Sequence, residues 1–171
     1  ESEAAALMAR VRPLDMRTNQ TRVAVEVFGM DEFLRELRFA PAEVKKAVKQ
    51  GSKEIADKVV VEMKQRARIV WHQEQYETIV PSLRAVQGTV PKIKIGGARK
   101  AAVGRRKRRP SAGELVMGAE FGGRREETTQ QFPIHRGRKG YVLFPTIRRL
   151  HGTIKKEYTD QIEKVLRKVA R

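Results

Sequence analysis

Residues 41–71, PAEVKKAVKQGSKEIADKVVVEMKQRARIVW, decide the fold of this chain. Apolar side chains recur there every three or four positions among lysine, arginine and glutamate, which predicts one long amphipathic helix. Pro41 suits the first turn of this helix, and Gly51 weakens it by about 1 kcal/mol relative to alanine. The apolar stripe consists of Val44, Val48, Ile55, Val59, Met63, Ala67 and Val70.

The predicted length of this helix is unusual for a chain of 171 residues. Roughly 31 residues at about 1.5 Å each give about 46 Å. A compact domain of this size has a diameter of about 40 Å. One end of the helix is therefore expected to project or to lie against a neighbouring subunit.

The sequence before the long helix predicts a strand followed by a short helix. Residues 21–28, TRVAVEVF, alternate apolar and polar side chains and are rich in valine, as is typical of a strand. Gly29 ends this strand, and Asp31 is in position to cap a helix over residues 31–40. Residues 1–20 are interpreted as an N-terminal arm that precedes the domain.

Shorter elements are predicted after the long helix. Residues 76–97 hold several short apolar groups with Pro81 and Pro91 at their edges, which predicts short strands. These groups are Ile79 with Val80, Leu83 with Val86, Val90, and Ile93 with Ile95. Residues 114–121, ELVMGAEF, alternate and predict a further strand.

The last part of the chain predicts a second long helix. Pro145 opens it, and the helix extends over about residues 145–170. Residues 96–113 and 122–140 are predicted loops, the first of them a basic insertion. The apolar stripe of this C-terminal helix is Ile147, Leu150, Ile154, Tyr158, Ile162, Val165, Leu166 and Val169.

The order of these elements predicts an α+β fold in a single domain over residues 21–171. Its sheet is expected to be mainly antiparallel, with about three to five strands. The long helix and the C-terminal helix are expected to cover one face of that sheet. Ile55, Val59, Ile154 and Ile162 are expected to be core residues, worth about 1.5–3 kcal/mol each.

The charge of the chain is strongly basic and unevenly distributed. The net charge is +17 at pH 7, and no Asp or Glu occurs between Glu77 and Glu114, where the basic residues contribute +10. A charge of this kind points to a polyanion or to an acidic protein surface as the partner. Its densest part is residues 99–109, RKAAVGRRKRR, with the basic residues Arg99, Lys100, Arg105, Arg106, Lys107, Arg108 and Arg109.

Three interpretations of this basic segment stay open. It can be a solvated loop without a partner, or a loop that docks into an acidic groove of another protein. It can also neutralise nucleic-acid phosphates without reading the base sequence. The segment has no aromatic neighbours, which argues against recognition of single strands by stacking.

The sequence offers no set of residues for catalysis, for a cofactor or for a metal. The chain has no cysteine, and His72, His135 and His151 lack the spacing of a metal site. Gly97 to Gly104 is not followed by the Lys-Ser/Thr of a phosphate-binding loop. We therefore expect that the protein is not an enzyme. No apolar segment approaches the ~20 residues of a membrane span.

Three ordered motifs resemble the neck, or tail-completion, proteins of long-tailed bacteriophages, some of which are known only as tail components. The first is residues 23–48, VAVEVFGMDEFLRELRFAPAEVKKAV; the second is residues 118–123, GAEFGG; the third is residues 141–149, YVLFPTIRR. Where that family commonly has a Thr-Gly turn after the long helix, residues 78–86 are TIVPSLRAV. The positions that match the motifs are Gly29, Asp31, Glu120, Phe121, Gly122, Phe144 and Pro145.

The resemblance implies a structural protein of the virion, assembled in the host cytoplasm. Such proteins join the DNA-filled head to the tail as part of a ring near the head-closure and tail-terminator proteins. The implied partners are therefore these neck and tail proteins and further copies of the chain. Contact with the packaged DNA stays open, and neither a membrane nor a small-molecule substrate is implied.

The alternative function is that of a basic nucleic-acid-binding protein of ribosomal or nucleoid type, which uses residues 99–109 on phosphates. A dedicated DNA-binding protein should carry its charge on one continuous face and bind duplex at physiological salt. A neck protein should bind DNA weakly, with an affinity that falls steeply as salt rises.

Overall fold

The computed structural model describes residues 20–24, 30–98, 110–123 and 132–169. Short 3-10 turns lie at Val80–Ser82 and Gly137–Lys139. Gly29 and the basic segment 99–109 lie outside the described residues. In chain order the helices and strands are β1 (Gln20–Ala24), α1 (Met30–Leu37), α2 (Ala42–Val70), α3 (Gln73–Ile79), β2 (Arg84–Val86), β3 (Lys92–Gly96), α4 (Ala112–Phe121) and α5 (Leu143–Val169).

The two long helices, α2 and α5, form an antiparallel pair that organises the fold. Lys58 of α2 forms an ion pair with Glu157 of α5 at 2.9 Å. The side chain of Arg66, near the end of α2, donates to the backbone carbonyl of Tyr141, just before α5, at 2.9 Å. Gly51 allows close approach of the helices, because a Cβ there would meet the side chain of Gln161.

The strands form an antiparallel sheet in the order β1-β3-β2. Ala85, Ile93 and Ile95 point from this sheet into the main core. The α+β prediction, with an antiparallel sheet and a long helix, is confirmed at this level. Helices contribute most of the described residues, because segments predicted as strands are helical.

The core lies between α2, α5, the sheet and α4. Ile55, Val59 and Ile154 are buried in it, as predicted, and Ile162 is partly buried against it. The predicted stripes are wrong at Leu166, whose exposure is 51%. Val70, the last residue of α2, is also exposed. A smaller apolar cluster joins α1 to the beginning of α2 and to the last turns of α5. It contains Leu37, Val44, Val48 and Val165.

Residues 114–121 form most of α4 and not the predicted strand. The side chains of Ser111 and Glu114 cap each other's backbone N–H groups, the arrangement that starts many helices. Val116 is buried although it lies between the alternating apolar positions. The buried positions of α4 fit a helix, with its spacing of three and four residues, and are Ala112, Leu115, Val116, Ala119 and Glu120.

The segment around Ile79 and Val80 is also helical and not the predicted strand. α3 extends to Ile79, and a 3-10 turn follows at Val80–Ser82. The hydroxyl of Thr78 donates to the carbonyl of Glu74 inside the helix at 2.8 Å. Both Ile79 and Val80 are buried in the core, so a pair of adjacent apolar residues marks a buried helix end here.

Two hydroxyls, from α2 and α5, hold the loop that precedes β3. Ser52 and Tyr158 both donate to the carbonyl of Thr89, at 2.9 and 2.6 Å. Burial raises the pKa of Tyr158 to about 12, although a hydrogen bond with Ser52 acts in the opposite direction. The tyrosine hydroxyl therefore stays protonated in the folded chain at pH values where an unfolded tyrosine ionises.

The raised pKa of Tyr158 predicts a loss of stability in alkali. The unfolded chain releases this proton near the ordinary value of 10.0 and the folded chain near about 12, so the unfolding free energy falls as pH rises through that window. Tyr158→Phe is expected to remove this fall and to cost about 1 kcal/mol at neutral pH. Urea unfolding from about pH 7 to about pH 11.5 measures both effects. An alkaline loss of stability in Tyr158→Phe as large as that of the wild type would contradict this assignment.

Candidate functional site

The most distinctive site of the described chain is a buried carboxylate at the start of α5. Glu120, on the last turn of α4, is 1% exposed. Its Oε2 atom accepts hydrogen bonds from the backbone N–H groups of Val142 and Leu143, each at 2.9 Å. Its Oε1 atom accepts one from the N–H of Phe144 at 3.0 Å.

These three bonds complete the hydrogen bonding of the start of α5. The first four N–H groups of a helix have no partner within the helix. Val142, Leu143 and Phe144 supply three of them to Glu120, and the fourth residue is Pro145, which has no N–H. The N–H of Thr146 then begins the helical pattern by donating to the carbonyl of Val142 at 3.1 Å.

Two opposing effects act on the Glu120 carboxyl. Burial raises its pKa, whereas the hydrogen bonds from the backbone of Leu143, Phe144 and Val142 lower it, and burial dominates. The positive end of the helix dipole also lies at this position and favours a negative charge. The side chain thus replaces the capping residue that α5 lacks in its own sequence.

Glycines allow the segments around Glu120 to approach one another. A Cβ on Gly140 would collide with Oε1 of Glu120, and one on Gly118 would lie 2.6 Å from the ring of Phe132. A Cβ on Gly122 would strike the backbone carbonyls of Pro133 and Ile134. Two glycines of the GAEFGG motif, Gly118 and Gly122, and Gly140 before YVLFP are therefore all sites of close packing around Glu120.

Two side chains of the α2 end tie this joint to the long helix. The indole N–H of Trp71 donates to the carbonyl of Ala119 at 3.0 Å, which satisfies a carbonyl at the end of α4. The side chain of Arg66 donates a hydrogen bond to the carbonyl of Tyr141, just before α5. The rings of Phe121 and Phe144 pack with their centroids 5.3 Å apart. We call Glu120 and the N–H groups that it holds, with Gly140, the Glu120 joint.

A matched pair of glycine variants tests the tight packing of the Glu120 joint. Gly137 and Gly140 both have positive φ, 59° and 67°, but only Gly140 faces a neighbour. Gly137→Ala is expected to cost about 1 kcal/mol, the backbone penalty alone. Gly140→Ala should cost at least about 2 kcal/mol more, since Glu120 must move and its hydrogen bonds lengthen. The backbone of Gly140, with ψ of 172°, also lies in a region that only glycine readily adopts, which adds to this cost. Urea unfolding of both variants gives the difference, and equal costs would contradict the assigned geometry.

The chemistry of the Glu120 joint is that of a structural lock. The carboxylate is buried and both of its oxygens are occupied by backbone donors, so it is placed to hold the chain and not to meet a substrate. Within the described residues, no three His, Asp or Glu side chains are grouped so that they could hold a metal ion. No helix among them has the length and apolar character needed to cross a membrane.

The structure brings together most of the motif positions. The N–H of Phe144 donates to Glu120, and the ring of Phe144 packs on the ring of Phe121. The motif residues Gly122 and Pro145 follow Phe121 and Phe144 directly in the sequence. Asp31 lies inside the first turn of α1, because the helix begins one residue earlier, at Met30. The candidate phosphate-contact residues Arg99, Lys100, Arg105, Arg106, Lys107, Arg108 and Arg109 lie outside the described residues, as does Gly29.

Sequence reasoning missed the residues that complete the joint, namely Arg66, Trp71 and Gly140. One signal was available: Glu120 is the second acid of an otherwise apolar segment, ELVMGAEF, and a buried acid needs partners.

No protein-family model, curated protein sequence or solved structure matches this chain. Support for a function therefore comes from the chain's own motifs and from the geometry of the Glu120 joint.

Proposed function

We propose that this protein is a structural component of a bacteriophage neck, where it joins the DNA-filled head to the tail as part of a ring. The observation that carries the proposal is the contact between two of the motifs that resemble neck proteins. Residues 118–123 supply Glu120, and residues 141–149 supply all three backbone N–H groups that donate to it, those of Val142, Leu143 and Phe144.

The remaining motif supports the same proposal because it packs on the helix that the joint starts. Residues 23–48 include α1 and the beginning of α2. Leu37, Val44 and Val48 from that segment cluster with Val165, near the far end of α5. All three motifs thus meet one helix, and their order in the sequence corresponds to one structural unit.

The surface of the pair of long helices is suited to contacts with neighbours. α2 has 29 residues and is about 43 Å long at about 1.5 Å per residue. Phe39, just before α2, is 90% exposed, and Ile69, near the other end of α2, is 85% exposed. Large apolar side chains at both ends of a long helix fit a subunit that contacts two neighbours in a ring.

A phage that lacks the gene provides the test of this function. We expect DNA-filled heads and separate tails to accumulate, and infectious yield to return when the wild-type protein is supplied in trans. Electron microscopy of the lysate and measurement of packaged DNA distinguish joining from packaging. Normal yield without the protein would contradict the proposal, as would empty heads with intact head–tail joints.

The same experiment separates the neck role from a dedicated nucleic-acid role. A ribosomal or nucleoid-type protein would be absent from finished particles, and its loss would reduce phage or host synthesis before assembly. Under the neck proposal, late protein and DNA synthesis should be unchanged and only joining should fail. The two functions therefore predict defects at different stages of the same infection.

A further inference from the structure

The outer face of the sheet carries a row of basic residues in cross-strand register. Lys94 of β3 pairs directly with Arg84 of β2, and on its other side the backbone register pairs it with Arg22 of β1. Residues paired in this way share one face of a sheet. Lys92 lies two residues along the same strand and therefore on the same face. Each strand thus places a basic residue at the same level of one face.

The side chains of Arg84, Lys92 and Lys94 point away from the core and have no acidic partner among the described residues. Ala85, Ile93 and Ile95, which alternate with them, pack into the core. Arg84 and Lys92 are exposed and Lys94 is partly exposed. No carboxylate of the described chain forms an ion pair with Arg84, Lys92 or Lys94, although several lysines and arginines of α2 and α5 do have such partners.

A row of like charges is unfavourable in the free protein. Side chains directly opposite each other on neighbouring strands are about 4.5–5.5 Å apart at Cβ, and like charges there oppose strand pairing. A bound polyanion would reverse the sign of this interaction, because each cation would then face an anion as well as another cation. The arrangement therefore favours a partner with a regular array of negative charges.

The composition of the face distinguishes between two kinds of polyanion. Protein interfaces depend on a desolvated apolar centre with aromatic or arginine anchors, whereas Val86 is the sole apolar side chain of β2 and β3 that the register places on this face. Stacking on single-stranded bases requires aromatic side chains, and neither strand has one. Phosphate contacts require only basic side chains.

We propose that the outer face of the sheet, through Arg84, Lys92 and Lys94, is a contact surface for the sugar–phosphate backbone of duplex DNA. The contact is independent of base sequence and depends on salt. It goes beyond the proposed neck function and does not require it, since the contact can be measured on the isolated protein. Residues 99–109, which carry seven further basic residues, follow β3 in the sequence after Gly97 and Ala98.

Two triple variants of equal net charge test the surface. The face variant removes the basic face and combines Arg84→Gln, Lys92→Gln and Lys94→Gln. The helix variant removes the same charge from exposed positions on α2 and α5 and combines Lys46→Gln, Lys49→Gln and Lys155→Gln. Each protein is titrated with a random-sequence DNA duplex of about 30 base pairs at several salt concentrations between about 50 and about 200 mM. A third variant, with Arg105 to Arg109 replaced by glutamine, measures the contribution of the basic segment.

In the face variant, the fall of log K with log salt is expected to become shallower: the magnitude of the slope should decrease by about 2.7, because each lost phosphate contact contributes about 0.9. Its affinity near 100 mM salt should fall at least about tenfold, while the helix variant should lose less than about threefold. Thermal unfolding should show that the face variant is as stable as the wild type or more so, since repulsion between strands is removed. If the triple variant does not fold, Lys94→Gln alone should lower the slope by about 0.9.

Three results would overturn the proposal. An unchanged slope in the face variant, with a loss only in the Arg105–Arg109 variant, would assign all DNA contact to the basic segment. Equal losses in the face and helix variants would show that net charge alone decides binding. If polyglutamate of matched charge binds the wild type more tightly than DNA does and loses affinity in the face variant, the surface serves an acidic protein.

Discussion

Glu120→Ala is expected to lower the unfolding free energy by about 4 kcal/mol, a large fraction of the stability of a domain of this size. The substitution leaves three backbone N–H groups at the start of α5 without an acceptor. A buried donor without a partner costs about 1–3 kcal/mol. Three such donors together give a range of about 3–9 kcal/mol. The expected loss of stability lies in the lower half of this range because water can enter the space that the side chain vacates. Domains of this size are stable by only about 5–15 kcal/mol.

A less drastic variant and a control make this result specific. Glu120→Gln keeps one acceptor oxygen but places an amide donor against backbone donors, so a loss of about 2 kcal/mol is expected. Glu114 also caps a helix, but at an exposed site, and Glu114→Ala should cost about 1 kcal/mol. Urea unfolding followed by circular dichroism ranks the three variants. Similar losses of stability in Glu120→Ala and Glu114→Ala would contradict the role of Glu120 as a buried acceptor for the N–H groups at the start of α5.

Val59→Asp is expected to prevent the production of soluble, folded protein. Val59 is 4% exposed and lies in the core between α2 and α5. The variant loses about 1.5–3 kcal/mol of apolar burial and places a carboxylate among the apolar side chains of the core. The combined cost exceeds what a marginally stable domain can tolerate.

The neighbouring Val61 provides the matched control for Val59. It lies on the same helix and is 53% exposed, so Val61→Asp carries the same change in helix propensity without burying a charge. Its expected cost is about 0.5 kcal/mol. Soluble expression and circular dichroism of both variants test the prediction. Folded Val59→Asp protein would mean that this face of α2 is not core.

The long helices could be predicted from the sequence because their periodicity extends over many turns. The stripe that contains Ile55 and Val59 fits only a helical repeat, and the structure buries both residues. The segment of α4 has only ten residues, and at that length alternation and helical spacing overlap. Ser111 and Glu114 nevertheless match the spacing of a capping box, and this signal outweighs the alternation.

The Glu120 joint could be predicted only in part. Its motif residues were identifiable, but their contact depends on tertiary structure: Glu120 and Val142 lie 22 positions apart. Whether an acid in an apolar segment is buried or solvated depends on the donors that the fold supplies, and the sequence around Glu120 contains none of them. Trp71, whose indole N–H donates to a carbonyl in the same last turn of α4, lies 48 positions from Ala119.

The most direct test of the neck role is the position of the protein in the intact particle. Purified phage would be labelled with gold-bearing antibodies against this protein and examined by electron microscopy, with particles that lack the gene product as the control. We predict that the label lies at the junction of head and tail and that free heads and free tails of the deletion phage carry none. Label along the tail tube, or no label on finished particles while the protein remains with host ribosomes or nucleoid, would contradict the proposed function.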